Sequence, residues 1–188
     1  STKGWINVQN AEDTETGVAP FVQATGGTET IVCTDFKVHT FTGPGTFTVT
    51  NSGSAPGSNT VDYLVLGGAG SGGGRYGGGG GAGGYRESPG TASGSYSVSP
   101  LGAAPATALP VPEQAYPITV GAGGAEPATD STPNPTGNQP GNRGSNSIFS
   151  TITSTGGGSG ASQGYEGPGP AYNGGSGGGA GHTGPAGN

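Results

Sequence analysis

Charge is scarce in this sequence: only 9% of its 188 residues are Asp, Glu, Lys or Arg. Large apolar side chains are scarce too, with 28% hydrophobic residues, one Trp, one Cys and no Met. Each shortage excludes something. A single cysteine, Cys33, rules out an internal disulfide, and its place in Ile31-Val32-Cys33 suits a buried, inert thiol. The bases Lys3, Lys37, Arg75, Arg86 and Arg143 are scattered and outnumbered by eleven acids, for a net charge of −6. No basic patch can neutralise a run of phosphates, so nucleic acid is not an expected partner. No apolar stretch approaches the roughly 20 residues of a membrane span, so membrane insertion is not expected. An enzyme-like core is also excluded, because a chain of this length ordinarily buries about 70% of its unfolded surface. Here burial must come from partner chains, from dense backbone packing, or not at all.

What the sequence has is glycine, 45 residues of it, with 16 prolines. Each interior glycine costs a helix about 0.5–1 kcal/mol against alanine, and the expected class is all-β. Three regions are expected. Residues 1–30 are a polar lead-in whose tetrad Trp5-Ile6-Asn7-Val8 offers Trp5, Ile6 and Val8 for contact with a neighbouring subunit. Residues 31–155 are β-rich with glycine insertions, and 156–188 form a glycine tail. Ser1 is not a Met and Asn188 falls mid-repeat, as expected of a piece of something longer.

In the β-rich region, Phe36–Phe41 and Thr46–Thr50 flank Gly43-Pro44-Gly45 and read as a hairpin. Val61–Leu66, apolar on both faces, reads as a central strand. Tyr116–Val120 reads as a strand whose Pro117 argues for an edge, and Ser147–Thr153 as the last strand. Residues 88–115 and 125–146 read as surface loops. Three of these strands run at once into glycine, at Gly67, Gly121 and Gly156. A flexible linker has no such grammar.

Gly175, Gly178, Gly181, Gly184 and Gly187 recur every third residue. That period belongs to extended left-handed helices of the polyproline II type, in which only glycine fits a crowded side. Such helices make no internal hydrogen bonds, so their amides must pair with neighbours. The expectation is a β-sandwich-like core with glycine segments packed as polyglycine II helices.

Chemistry-bearing patterns are thin. Gly68-Ala69-Gly70-Ser71-Gly72-Gly73 matches G-x-G-x-x-G after a strand, but more glycine follows where a dinucleotide motif needs a helix. His39 and His182 have no ligand-spaced companions; His39 reads as a polar-face strand residue and His182 as solvent-facing. No nucleophile elbow is present. The expectation is therefore no catalytic residue, no cofactor and no metal. Tyr76, Tyr165 and Tyr172 stand alone among glycines, where an aromatic on a stiff surface can stack on a sugar or fill a partner's pocket; equally, they can cover glycine backbone.

The ordered series His39-Thr40-Phe41-Thr42, Gly45–Val49, VDYLVLGGAGSGGG, GGGGAGGYRES, YPITVGAGGA and FSTITSTGGGSG resembles the glycine-rich domain of bacteriophage tail-fibre and other virion appendage proteins, those of marine cyanophages in particular. The resemblance implies strands continuing into packed glycine helices, in a homo-oligomeric, non-enzymatic fibre or adhesin outside the virus. Its partners would be copies of itself, as a trimer or filament, and a host-surface glycan or protein. A different class is a subunit of a bacterial or environmental extracellular filament, with the lead-in completing a neighbour's sheet.

Overall fold

The computed structural model describes residues 21–32, 36–54, 58–88, 107–127, 139–163 and 172–182. Among the described residues there is no helix, and there are eleven strands. Five of them, β1 (Gln23–Thr25), β4 (Gly45–Asn51), β9 (Ala115–Thr119), β10 (Ser147–Phe149) and β11 (Ile152–Ser154), make one antiparallel sheet in the order β1-β4-β9-β10-β11. The other six form two-stranded antiparallel ribbons: β2 (Thr28–Val32) with β3 (Phe36–Thr40), β5 (Thr60–Val61) with β8 (Leu109–Pro110), and β6 (Leu64–Leu66) with β7 (Tyr85–Glu87).

Period-two alternation decides which face of the sheet is inward. In β4, Phe47 and Val49 are buried while Thr46 and Thr50 are exposed. Register then places Ala24 opposite Val49 and Tyr116 opposite Phe47. These residues and Val111 form the core, with Val22, Phe41, Val61, Leu109, Ile118 and Phe149 packed against it. Phe47, Tyr116 and Phe149 make three mutual ring contacts with centroids 5.8–6.3 Å apart, and the Tyr116 hydroxyl donates to the Pro112 carbonyl at 3.1 Å. The ribbons cover this inner face. Val61 and Leu109 bring β5–β8 onto the core, His39 of β3 stands edge-on to Phe47 at 5.1 Å, and inward-facing Ser154 donates to the Gly84 carbonyl beside β7 at 2.5 Å.

This core is small. Two aromatics, two valines and an alanine contribute about 1.5–3 kcal/mol per large side chain, against about 1–2 kcal/mol of backbone entropy for every ordered residue. The rest of the order comes from the backbone. Glycine-rich segments 67–74, 77–84, 121–127, 139–146, 155–163 and 173–182 lie side by side, and their amides bond across at every third residue. Gly67, Gly70 and Gly73 donate to the carbonyls of Gly84, Gly81 and Gly78; Gly68, Ser71 and Gly74 to Ser145, Asn142 and Gln139; Gly78, Gly81 and Gly84 to Ala161, Gly158 and Thr155, all at 2.7–3.0 Å. Segment 155–163 is innermost, bonding to 67–74, 77–84, 139–146 and 173–182, and residues 156–162 are all buried. A Cβ at Gly158 would overlap the Tyr172 carbonyl and one at Gly178 the Ser159 carbonyl, so the close approach of the chains demands glycine there.

Sheet and bundle are one continuous construction. The β6–β7 pairing ends at Leu66 and Tyr85, and Gly67 to Gly84 carries it on. The β10–β11 hairpin closes over Ser150, at φ 54°, and below Ser147 and Ser154 its arms continue as Gly144 to Gly157 and Gly141 to Gly160. The strand-then-glycine order of the sequence thus corresponds to strands that turn into bundle segments without a break.

Several expectations are corrected. The two arms around Gly43-Pro44-Gly45 are not a hairpin: β3 pairs back onto β2 with five residues in register, while β4 is taken on both sides by β1 and β9. Val61–Leu66 is not a central strand. It breaks at Asp62-Tyr63, where the Ser88 hydroxyl donates to Asp62 at 2.7 Å and accepts the Tyr63 N–H at 3.0 Å, and Leu64 and Leu66 are exposed. β9 sits mid-sheet despite Pro117, because β10 pairs only with Ile118 and Thr119 and leaves that side of Pro117 locally an edge. His39 faces inward, its Nδ1 donating to the Gly26 carbonyl at 2.8 Å. Residues 139–146, read as loop, are a bundle segment. Residues 156–162 are the most buried stretch of the bundle, and β1 and most of β2 fall within residues 1–30.

Candidate functional site

Chain direction places the Arg75-Tyr76 turn at the end of the bundle away from the sheet. Segments 67–74, 121–127, 155–163 and 173–182 run outward, and 77–84 and 139–146 run back.

The outer turn is closed by Gly73 N–H to the Gly78 carbonyl at 2.9 Å, and its corner is Arg75-Tyr76, the only adjacent pair of non-glycine residues between Gly67 and Gly84. Both take left-handed backbone, at φ 36° and 47°, which costs an L-residue about 1–2 kcal/mol each. Glycine would be the relaxed choice, and every neighbouring position has it. The turn's carbonyls are held by the bundle: Gln163 N–H donates to Arg75 at 3.4 Å and His182 N–H to Tyr76 at 3.1 Å, while Gly74 N–H donates to Gln139 at 2.9 Å. The side chains project from this frame. Tyr76 is 77% exposed, the most of any large hydrophobic residue described, and Arg75, Gln139 and His182 are exposed.

A rigid backbone thus presents a phenol ring beside a guanidinium group. The ring supplies a flat apolar face with a polar tip, the guanidinium up to five hydrogen-bond donors. Holding them on a frame ordered by its own hydrogen bonds lowers the entropy lost when a ligand is bound.

The other expected contact residues fare differently. Tyr172 is not a surface residue: it is 1% exposed, because it opens segment 173–182 against the innermost strand, its carbonyl accepting Gly178 N–H at 2.8 Å. Tyr165, Trp5, Ile6 and Val8 lie outside the described residues. Sequence reasoning missed Arg75, Gln139 and Gln163 as neighbours of Tyr76. The available signal was their position at the ends of three-residue glycine registers.

Elsewhere the polar chemistry is local. On the β2–β3 ribbon Lys37 Nζ lies 3.2 Å from Glu29, and that hydrogen bond, above all, holds the Glu29 carboxyl below the ordinary glutamate value. The Tyr85 hydroxyl donates to Glu87 at 2.5 Å, which raises the phenol's pKa. A recess of about 250 Å³ is lined by Gly27, Thr28 and residues 40–46, none of them ionisable. The glycines of the G-x-G-x-x-G match are occupied with packing, for a Cβ at Gly68, Gly70 or Gly73 would strike the carbonyl of Ala122, Gly158 or Ala161. Among the described residues no group of three or more His, Cys, Asp or Glu side chains could hold a metal ion, and no helix is long and apolar enough to cross a membrane.

A family model described as a glycine-rich domain matches residues 39–188. No curated protein and no solved structure matches the chain.

Proposed function

The chain belongs to the glycine-rich domain family, and from that premise we propose that it is a non-enzymatic structural and adhesive protein of a virion appendage, a phage tail fibre or similar, that assembles with copies of itself. The observation that carries this reading is the three-residue hydrogen-bond period of the bundle. We take its segments as polyglycine II helices, whose backbone groups satisfy one another where side chains cannot. Such a body is stiff without a large core, and low charge leaves its surface inert.

The adhesive part is the outer turn. Tyr76 stacks on a sugar ring or fills a pocket of a host-surface protein, with Arg75 beside it for an acidic group. Left-handed backbone at two consecutive non-glycine residues supports this, since strain of that kind persists where function needs it. Immunogold electron microscopy of virus particles and cells from one culture tests the reading. Gold on tails or capsid projections is the expected result; label confined to long cell-associated filaments overturns it. That second outcome is the filament reading, which the exposed apolar side chains of the β2–β3 ribbon favour.

A further inference from the structure

We propose that the β2–β3 ribbon is a docking edge for the Trp5–Val8 segment of a second copy of this chain. The proposal rests on the reading that the chain self-assembles, which appendage and filament share, and it names the surface.

The ribbon's strands pair only with each other among the described residues, and an isolated two-stranded ribbon is marginal in water until a third strand joins it. Its register, Thr28↔Thr40 to Val32↔Phe36, runs without a bulge. Every residue of β2 is exposed. Natural proteins protect such edges with proline, bulges or charged side chains; β2 and β3 have neither proline nor bulge. The ribbon's Glu29 and Lys37 neutralise each other at 3.2 Å, and His39 is turned inward. The edges of the five-stranded sheet are guarded by comparison: β1 has three residues with a register shift at Gln23/Ala24, and β11 has three and runs into the bundle.

The ribbon also shows apolar residues to solvent on both faces. Ile31 is 60% exposed, and Val32 and Val38 42% each. By register, Val32 and Val38 share one face and Ile31 the other, so the chain's own sheet could cover only one of them. An added strand contacts both.

The occupant must be a short β-forming segment free of like charge. Trp5-Ile6-Asn7-Val8 is uncharged and carries the chain's only Trp. Thirteen peptide steps separate Val8 from Phe21, where the described body begins. Extended, they span about 45 Å, enough to reach an adjoining copy.

The experiment uses full-length chains in sedimentation velocity. One variant blocks the edge (Ile31→Lys with Val38→Lys, both at exposed positions), and one removes the donor (Trp5→Ala with Ile6→Ala). Wild type is expected to associate with rising concentration. Either variant alone should lose about 30-fold or more in association. Mixed one to one, each variant supplies what the other lacks, and the mixture should give heterodimers that grow no further. Emission from Trp5 should shift to the blue on association of wild type and in the mixture, and not in the edge variant alone. An edge variant that is folded by circular dichroism yet associates like wild type overturns the docking edge and leaves self-assembly standing. A donor variant that associates normally, or a mixture that stays monomeric, overturns strand donation. Wild type that stays monomeric at every concentration overturns the assembly reading with it.

Discussion

Replacing Gly160 by alanine puts one methyl group at a crowded point of the bundle. Its Cβ would overlap the Gly78 carbonyl and come within 2.7 Å of the Gly73 nitrogen. Those two groups are bonded to each other at 2.9 Å and close the outer turn. Gly160 itself donates to Ser71 and accepts from Gly141, both at 2.9 Å. Room for the methyl can be made only by moving one of these chains, which endangers three bonds. At about 1 kcal/mol for each bond and about 1–3 kcal/mol for overpacking, the expected loss is about 4–6 kcal/mol. For a chain of this size that is a fall in Tm of roughly 10–20 °C. Gly79→Ala is the matched control, because nothing lies within 4 Å of a Cβ there; its change should stay within about 0.5 kcal/mol. Denaturant unfolding followed by circular dichroism measures both, and amide exchange should show the N–H groups of residue 160, Gly73 and Gly141 losing protection in the first variant only. Equal, small effects at both positions would refute the idea that close backbone approach holds the molecule together.

Other outcomes follow from the sheet and the outer turn. Phe47→Ala removes the ring shared by Tyr116, Phe149 and His39 and should cost about 3–5 kcal/mol by denaturant unfolding. Tyr76→Gly should raise stability by roughly 1 kcal/mol, by relieving left-handed strain, while abolishing adsorption to host cells; a loss of stability would refute the strained-corner assignment. The Glu29 carboxyl, held low first by its bond from Lys37, has a folded-state pKa below its unfolded one. Its contribution is therefore present above the ordinary glutamate value and is lost as pH falls through the folded-state value. A carboxyl titration followed by NMR should show the lowered midpoint in wild type and its return to the ordinary range in Lys37→Met.

The alternation in Thr46–Thr50 predicts β4 and its buried face, and the strand-to-glycine junctions at Gly67, Gly121 and Gly156 predict where sheet becomes bundle. The three-residue period was legible in the tail, where Gly175, Gly178 and Gly181 all turn toward other segments. The same period runs through Gly141 and Gly144, hidden among Pro, Asn and Arg in a stretch that reads as loop. Partner choice was not legible. Phe36–Thr40 and Gly45–Asn51 are adjacent in sequence and β-forming, but two-sided demand for Phe47 and Val49 gives β4 to β1 and β9. Tyr76 and Tyr172 look alike in sequence. One caps a turn and the other begins a segment pressed on the innermost strand, a distinction set by chain direction rather than by neighbours.

The family match begins at His39, and that boundary cuts the molecule in a telling place. Strands β4 to β11 and the whole bundle lie inside it; β1, β2 and Phe36–Val38 lie before it. The part inside is the part whose backbone groups are bonded internally, so it supplies stiffness. The part before it holds β2, Phe36–Val38 of β3 and the segment proposed to dock on that ribbon. If stiffness and attachment are divided this way, removing residues 1–20 should separate them. If the lead-in serves attachment alone, the shortened chain should melt within about 2 °C of full length, a shift worth less than 1 kcal/mol for this size. Its self-association should disappear, and adding back edge-blocked full-length chain should restore heterodimers. A drop in melting temperature comparable to that of Phe47→Ala would mean that the lead-in belongs to the body's own fold, and the division would be wrong.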